Sequence, residues 1–246
     1  MQENPSKKFD CLKKVNAVKK GDIKKHDFLL TAEDLFCRNG YEKTSVQDII
    51  DCLHSSKGSF YHHFPSKESL LEGICGNRAE QIYVKASAEA EKADSTIQKL
   101  DILLTGTIPF QEEKLRFLLM LIPVFSLPEG RIVRQYYCDA LATIFHDPIS
   151  VQIKAGQNCY ELRCDDPDIA ATLILHVVNR MWVQITDMII ETELRHKEPE
   201  LSEYLHLTDC CRNLIERFLS IPYGSINLIN LPSLRFLIEQ IHNHWE

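Results

Sequence analysis

The sequence predicts an all-α protein: an N-terminal three-helix domain containing a helix-turn-helix, followed by a larger helical domain. Three observations carry this. Apolar residues recur at i, i+3 and i+4 along most of the chain. Prolines 109, 123, 128, 148, 167, 199 and 222 punctuate the segments so formed. No segment alternates apolar and polar residues between hairpin turns, so a sheet has nothing to be built from.

The first helix is expected from about Asp22 to Arg38, with Phe28, Leu29, Ala32, Leu35 and Phe36 on its apolar face and Asn39-Gly40 as its stop. Thr44 is read as the next N-cap, with Gln47 completing a capping box, and Ile49, Ile50 and Leu53 as the buried side of a short helix. Ser55-Ser56 restarts the chain. Phe60 and Phe64 anchor a second short helix whose outward face carries Lys57, Ser59, Tyr61, His62 and His63. Pro65 ends it, and Ser66 caps a long helix expected to reach Lys92. Two short helices around a tight turn, the second rich in hydrogen-bonding side chains, fit a major groove of DNA. Thr44, Ser45, Ser56, Lys57, Gly58, Ser59, Tyr61, His62, His63 and Lys67 are the candidate DNA-binding residues.

Residues 24 to 74 resemble the DNA-binding domain of the TetR family of one-component transcriptional regulators. The resemblance is carried by Ala32, Leu35, Phe36, Gly40, Tyr41, Thr44, Ser45, Ile49, Lys57, Gly58, Tyr61, Phe64, Lys67, Leu70 and Leu71. Two positions depart from the family pattern: His54 stands where a turn glycine is usual, and Ser55 where a buried Val or Ile is usual. Histidine enters a left-handed backbone less readily than glycine, so a strained or differently shaped turn is expected. The resemblance implies a homodimer on a palindromic operator and a regulatory domain that binds a small-molecule effector. It implies no enzyme activity. A ligand-released repressor is the first expectation; an activator, a ligand-independent regulator, or a helical scaffold or enzyme with a vestigial helix-turn-helix are the alternatives.

Beyond residue 75, Asp94-Ser95 is read as a cap, and the clearest helix runs from about Pro167 to Arg195, another from about Glu200 to Leu219. By family resemblance these last two pair with their copies, with Leu173, Val177, Met181, Ile185, Leu205, Cys211, Ile215 and Phe218 as candidate interface residues. Candidate effector-lining residues are Phe110, Leu118, Phe125, Tyr136, Tyr137, Asp139, Leu141, His176, Arg180 and Trp182, a mixture of apolar walls and polar anchors. A further short helix is expected between Ile221 and Glu246, with no assigned place.

The net charge is −7, but residues 1–67 hold 12 basic against 9 acidic residues and residues 68–246 hold 16 against 26. The basic charge lies with the helix-turn-helix, and an acidic body favours one docking orientation. Lysine pairs at 7-8, 13-14, 19-20 and 24-25 mark residues 1–21 as a basic, flexible arm able to follow phosphates or enter a minor groove. The domains are therefore expected at 1–21, 22–74 and 75–246. Nine cysteines without CxxC spacing read as free thiols of a reducing cytoplasm, with Cys210-Cys211 as the one candidate sensor. No metal or cofactor is expected: ten histidines show no ligand spacing, and phosphate loops and nucleophile elbows are missing. No stretch of 18 apolar residues occurs and the lysine-rich start is unlike a secretory signal, so a cytoplasmic chain without a membrane span is expected.

Overall fold

The computed structural model describes residues 20–110, 115, 117–119, 128–196 and 200–245. Phe125 and residues 1–19 of the basic arm lie outside them. The described residues form helices α1 (Lys20–Asn39), α2 (Val46–Cys52), α3 (Lys57–His63), α4 (Lys67–Ala90), α5 (Thr96–Gly106), α6 (Pro128–Asn158), α7 (Pro167–Leu194), α8 (Leu201–Phe218) and α9 (Leu231–Trp245). No strand occurs among them.

Local chemistry sets most boundaries. Ser66 accepts from the Ser69 N–H and Ser95 from the Gln98 N–H, starting α4 and α5 with capping boxes. Asp166 accepts from the N–H groups of Asp168 and Ile169 at 2.9 and 3.0 Å, and Pro167 occupies the first turn of α7, where its missing N–H costs nothing. Pro148 departs from expectation. Read as a breaker, it lies inside α6. The helix continues because Phe145, Ile149 and Ile153 on the same face are fully buried, and their packing outweighs one lost main-chain bond.

α1 to α4 form the N-terminal unit, with α1 packed along α4. α4 continues into the rest of the molecule, where it packs on α5 and α6, and α6 packs most extensively on α7. Gly106 permits the close crossing of α4 and α5: an added Cβ would stand 2.9 Å from that of Ala86. α7 is long and apolar enough to cross a membrane by length and composition, yet 56% of its most apolar window is buried inside the protein, as in a core helix. Residues 219–245 form a strap. The Leu219 carbonyl accepts from the Arg163 N–H, buried Glu216 accepts from the Ile226 N–H at 3.0 Å, and α9 lays Leu234, Leu237, Ile238 and Ile241 into the core alongside α7. His242 meets Glu193 of α7 at 3.0 Å. No disulfide links the eight described cysteines.

Candidate nucleic-acid interface

Gly40 ends α1 in the left-handed region (φ +86°), its N–H returning to the Phe36 carbonyl at 2.9 Å. The Tyr41 ring meets Phe36 edge-on at 5.0 Å. Thr44 is fully buried and its hydroxyl donates to the Gly40 carbonyl at 2.9 Å. The cap of α2 is therefore one residue later than expected. Ser45 accepts from the Asp48 N–H at 3.1 Å, while the Asp48 carboxylate accepts from the Ser45 N–H at 2.7 Å. Ser45's hydroxyl also donates to that carboxylate and holds Asp48 below the usual carboxylate range. Gln47, expected in the box, donates to Asp51 instead. Buried Thr44 has no surface to offer DNA, which corrects its place among the contact residues.

The turn between α2 and α3 closes through two reverse hydrogen bonds: His54 N–H to the Asp51 carbonyl at 3.1 Å, and Ser55 N–H to the Ile50 carbonyl at 2.9 Å. This is the pattern in which a glycine normally takes the left-handed position. Here His54 takes it, at φ +46°. Ser56 then caps α3 by accepting from the Ser59 N–H at 3.1 Å.

α3 is seated by Phe60, which is fully buried and meets Phe28 of α1 edge-on at 5.5 Å, and by Phe64, 6.4 Å from the same ring. Lys57, Gly58, Tyr61 and His62 face solvent, and Ser59 is half-buried. His63 is not outward-facing as expected. Its ring lies 6.1 Å from Phe28 and 6.4 Å from Phe64, tucked against the core. A Cβ at Gly58 would find no protein atom closer than 3.9 Å, so nothing inside the protein demands a glycine there. Lys67 lays its ammonium 3.9 Å above the Tyr41 ring, and the accompanying burial lowers its pKa.

The last of the lysine pairs joins this surface. Lys24 stands 5.6 Å from the Phe28 ring and Lys25 5.9 Å from the Phe64 ring, so the start of α1 brings positive charge beside α3. The earlier lysine pairs precede that point in the chain.

The other candidate residues divide differently from expectation. Phe110, Leu118, Tyr137, Leu141 and Trp182 are buried in the core. Tyr137 bridges Phe117 and Trp182 at ring distances of 5.3 and 6.0 Å. Tyr136 is half-buried, and exposed Asp139 accepts from Gln135. His176 and Arg180 do not join them: they point outward, because the face of α7 opposite Trp182 lines a shallow groove of about 530 Å³ against α8. Leu173, Val177, Cys211 and Phe218 of the candidate interface line this groove, with Leu207, Leu214 and Gln184, which were missed. Met181 forms its floor and is buried, and burial raises the Cys211 thiol pKa. Ile185 and Ile215 are fully buried in the chain's own core, and half-buried Leu205 lies off the groove, correcting their assignment to an outer face.

Residues 28–74 match the family model described as bacterial regulatory proteins, tetR family. The chain is 31% identical over 121 residues to the uncharacterized HTH-type transcriptional regulator YerO of Bacillus subtilis, covering 46% of this chain and 40% of YerO. It is 30% identical over 91 residues to the HTH-type transcriptional repressor KstR2 of Mycolicibacterium smegmatis, covering 37% of this chain and 44% of KstR2. The chain thus spans less than half the length of either relative. In fold it is similar to the crystal structure of a TetR-family transcriptional regulator from Pectobacterium atrosepticum, with a TM-score of 0.55 at 16% identity, covering 82% of this chain and 97% of that one. With the capped α2, the seated α3 and this match on the same residues, residues 28–74 form a helix-turn-helix domain of the tetR family of bacterial regulatory proteins.

Proposed function

We propose that this chain is a DNA-binding transcriptional regulator that works as a homodimer on a palindromic operator in the cytoplasm, and that it is a repressor released by a small apolar or amphipathic effector. Residues 22–74 serve as the DNA-binding unit, 75–246 as the regulatory and dimerising unit, and 1–21 as a basic arm. The single observation that carries this reading is the seating of α3. Phe60 and Phe64 fix it on Phe28, while Lys57, Gly58, Ser59, Tyr61 and His62 are left on its free side. Ser45, Ser56 and Lys67 flank that side. One such helix reads too few base pairs for genomic specificity, so a second copy is required. The apolar groove of α7 and α8 supports pairing through those helices. The repressor reading is favoured by the similarity to KstR2, which is a transcriptional repressor.

Effector binding is assigned to the core lined by Phe110, Leu118, Tyr137 and Trp182, with half-buried Tyr136 at its edge on α6 and exposed Asp139 as a polar anchor outside it. An apolar molecule that displaces part of this packing shifts the population toward a state whose two α3 helices no longer match successive major grooves. The test is selection of duplexes from a random library on immobilised full-length protein, followed by gel shift. Enrichment of an inverted repeat is expected; failure to enrich any sequence or to retard any duplex overturns the reading.

A further inference from the structure

We infer that Arg78 is the positioning residue that couples the DNA-binding unit to the regulatory core, holding Glu33 of α1 on one side of its guanidinium and the aromatic stack of Phe117, Tyr137 and Trp182 on the other. The inference rests on the DNA-binding reading above and names a route by which that binding is regulated.

Arg78 lies on α4, the helix shared by both units. Its Nε and Nη2 both donate to the same oxygen of Glu33, whose side chain is almost fully withdrawn from solvent. The guanidinium carbon stands 5.6 Å from the centre of the Phe117 ring. Phe117 meets Tyr137 of α6 at 5.3 Å, and Tyr137 meets Trp182 of α7 at 6.0 Å, both edge-on. All three rings are 2% exposed or less. The chain of contacts ends on a fixed point: the Trp182 N–H donates to Asn179 at 3.1 Å, and Asn179 donates to the Cys138 carbonyl of α6 at 3.1 Å. Met181, the residue before Trp182, floors the α7/α8 groove. Glu33 is thus linked through four side chains to the helix whose other face is proposed to pair with a second copy.

Two properties make this more than packing. Only a guanidinium can take a carboxylate in its plane and still offer its flat face to a ring; an ammonium in the same place serves one partner or the other. Glu33 is almost fully withdrawn from water while Arg78 is 28% exposed, so parting the pair strands a buried carboxylate, and the contact holds or breaks rather than stretching. The Glu33–Arg78 contact is therefore a two-state element, and the tilt of α1 against α4 and the placement of Phe117 both bias it.

The test is amide hydrogen exchange on the full-length chain. Glu33→Gln should speed exchange in α6 and α7 around Tyr137 and Trp182, and Phe117→Leu should speed it in α1, each by about 2- to 30-fold. Arg38→Gln, which breaks the exposed Asp34–Arg38 pair on the same α1 helix, should leave α6 and α7 unchanged. Changes confined to the helix carrying each substitution overturn the inference. If Glu33→Gln does not fold, Arg78→Lys, which keeps the charge, carries the same prediction. The second arm uses Trp245→Phe, which leaves Trp182 as the single tryptophan. Its emission should shift when a selected duplex binds, and adding Arg78→Lys should abolish the shift while binding persists; an unaltered shift counts against coupling. If no duplex binds, the DNA-binding reading fails, and the exchange measurement still decides on Arg78.

Discussion

Asp101 on α5 and Asn227 on the C-terminal strap are joined by two hydrogen bonds: the Asn227 main-chain N–H donates to Oδ1 and its side-chain amide to Oδ2, each at 2.8 Å. The clamp fixes the register of the strap, placing Ile226 and Leu228 in the core and letting α9 follow. Asp101→Ala removes both bonds and leaves donors that water can reach, so the cost should be about 1–2 kcal/mol. Asp101→Asn should restore part of it. Urea unfolding of the three proteins measures this, and an unchanged midpoint for Asp101→Ala would show that the strap is held by its apolar contacts alone.

The left-handed backbone of His54 is the strained point of the helix-turn-helix. A non-glycine residue there costs roughly 1–2 kcal/mol, and a glycine gives back part of the gain through its freer unfolded chain. His54→Gly should therefore raise stability by about 0.5–1 kcal/mol. His54→Val should lower it by more than that, since a branched Cβ tolerates the region worst. Thermal unfolding decides; a loss of stability in His54→Gly would mean that the histidine side chain holds the turn.

Much of this fold was legible in the sequence because its signals are local. Pro167 announced α7, Ser66 and Ser95 announced α4 and α5, and the Phe60/Phe64 spacing gave the buried face of α3. Where two local signals compete, tertiary burial decides. Thr44 and Ser45 are both good caps, and only the burial of Thr44 assigns the task to Ser45. The face of α7 was misread because the helix is apolar on both sides. Met181 and Ile185 turn inward while His176, Arg180 and Gln184 share the outer groove with Leu173 and Val177. The Glu33–Arg78 pair, 45 residues apart in sequence, leaves no local pattern at all.

The groove predicts how the chain assembles. Leu173, Leu214 and Phe218 are 49%, 52% and 41% exposed, an uncommon amount of apolar surface for two packed helices. Leu214→Glu combined with Phe218→Glu should convert a dimer to monomers, with little change in the helix content of each protomer. Light scattering at micromolar concentration reads the result. A dimer that survives the double substitution places the interface elsewhere.

On α3 and the first turn of α4, Tyr61→Ala and Lys67→Ala should weaken binding to all duplexes alike, as phosphate contacts do, while Lys57→Ala or Ser59→Ala on α3 should also relax preference at particular base pairs, at about 1–3 kcal/mol per lost base contact. Gly58→Ala separates folding from binding. The protein has room for the methyl group, so stability should hold or rise by up to about 1 kcal/mol, yet affinity should fall if DNA approaches that backbone closely. Equal affinity and equal preference in all five variants would mean that α3 is not the reading helix.

The lysine-paired arm has a quantitative signature in salt. Deleting residues 1–19, which stops where α1 begins at Lys20, removes lysines 7, 8, 13, 14 and 19 against Glu3 and Asp10, a net charge of +3. Lys24 and Lys25 lie over Phe28 and Phe64 beneath α3, so the chain enters α1 beside the proposed DNA surface. If two or three arm lysines displace condensed counterions, the slope of log affinity against log salt should become shallower by roughly 2–3 units on deletion. Affinity should then drop more at low salt than at high salt. Base preference should change only at flanking positions, and only if the arm enters an A·T-rich minor groove. Helix content should survive, because the buried face of α1 begins at Phe28, beyond the deletion. Parallel salt lines for intact and truncated protein would show that the arm takes no part in binding.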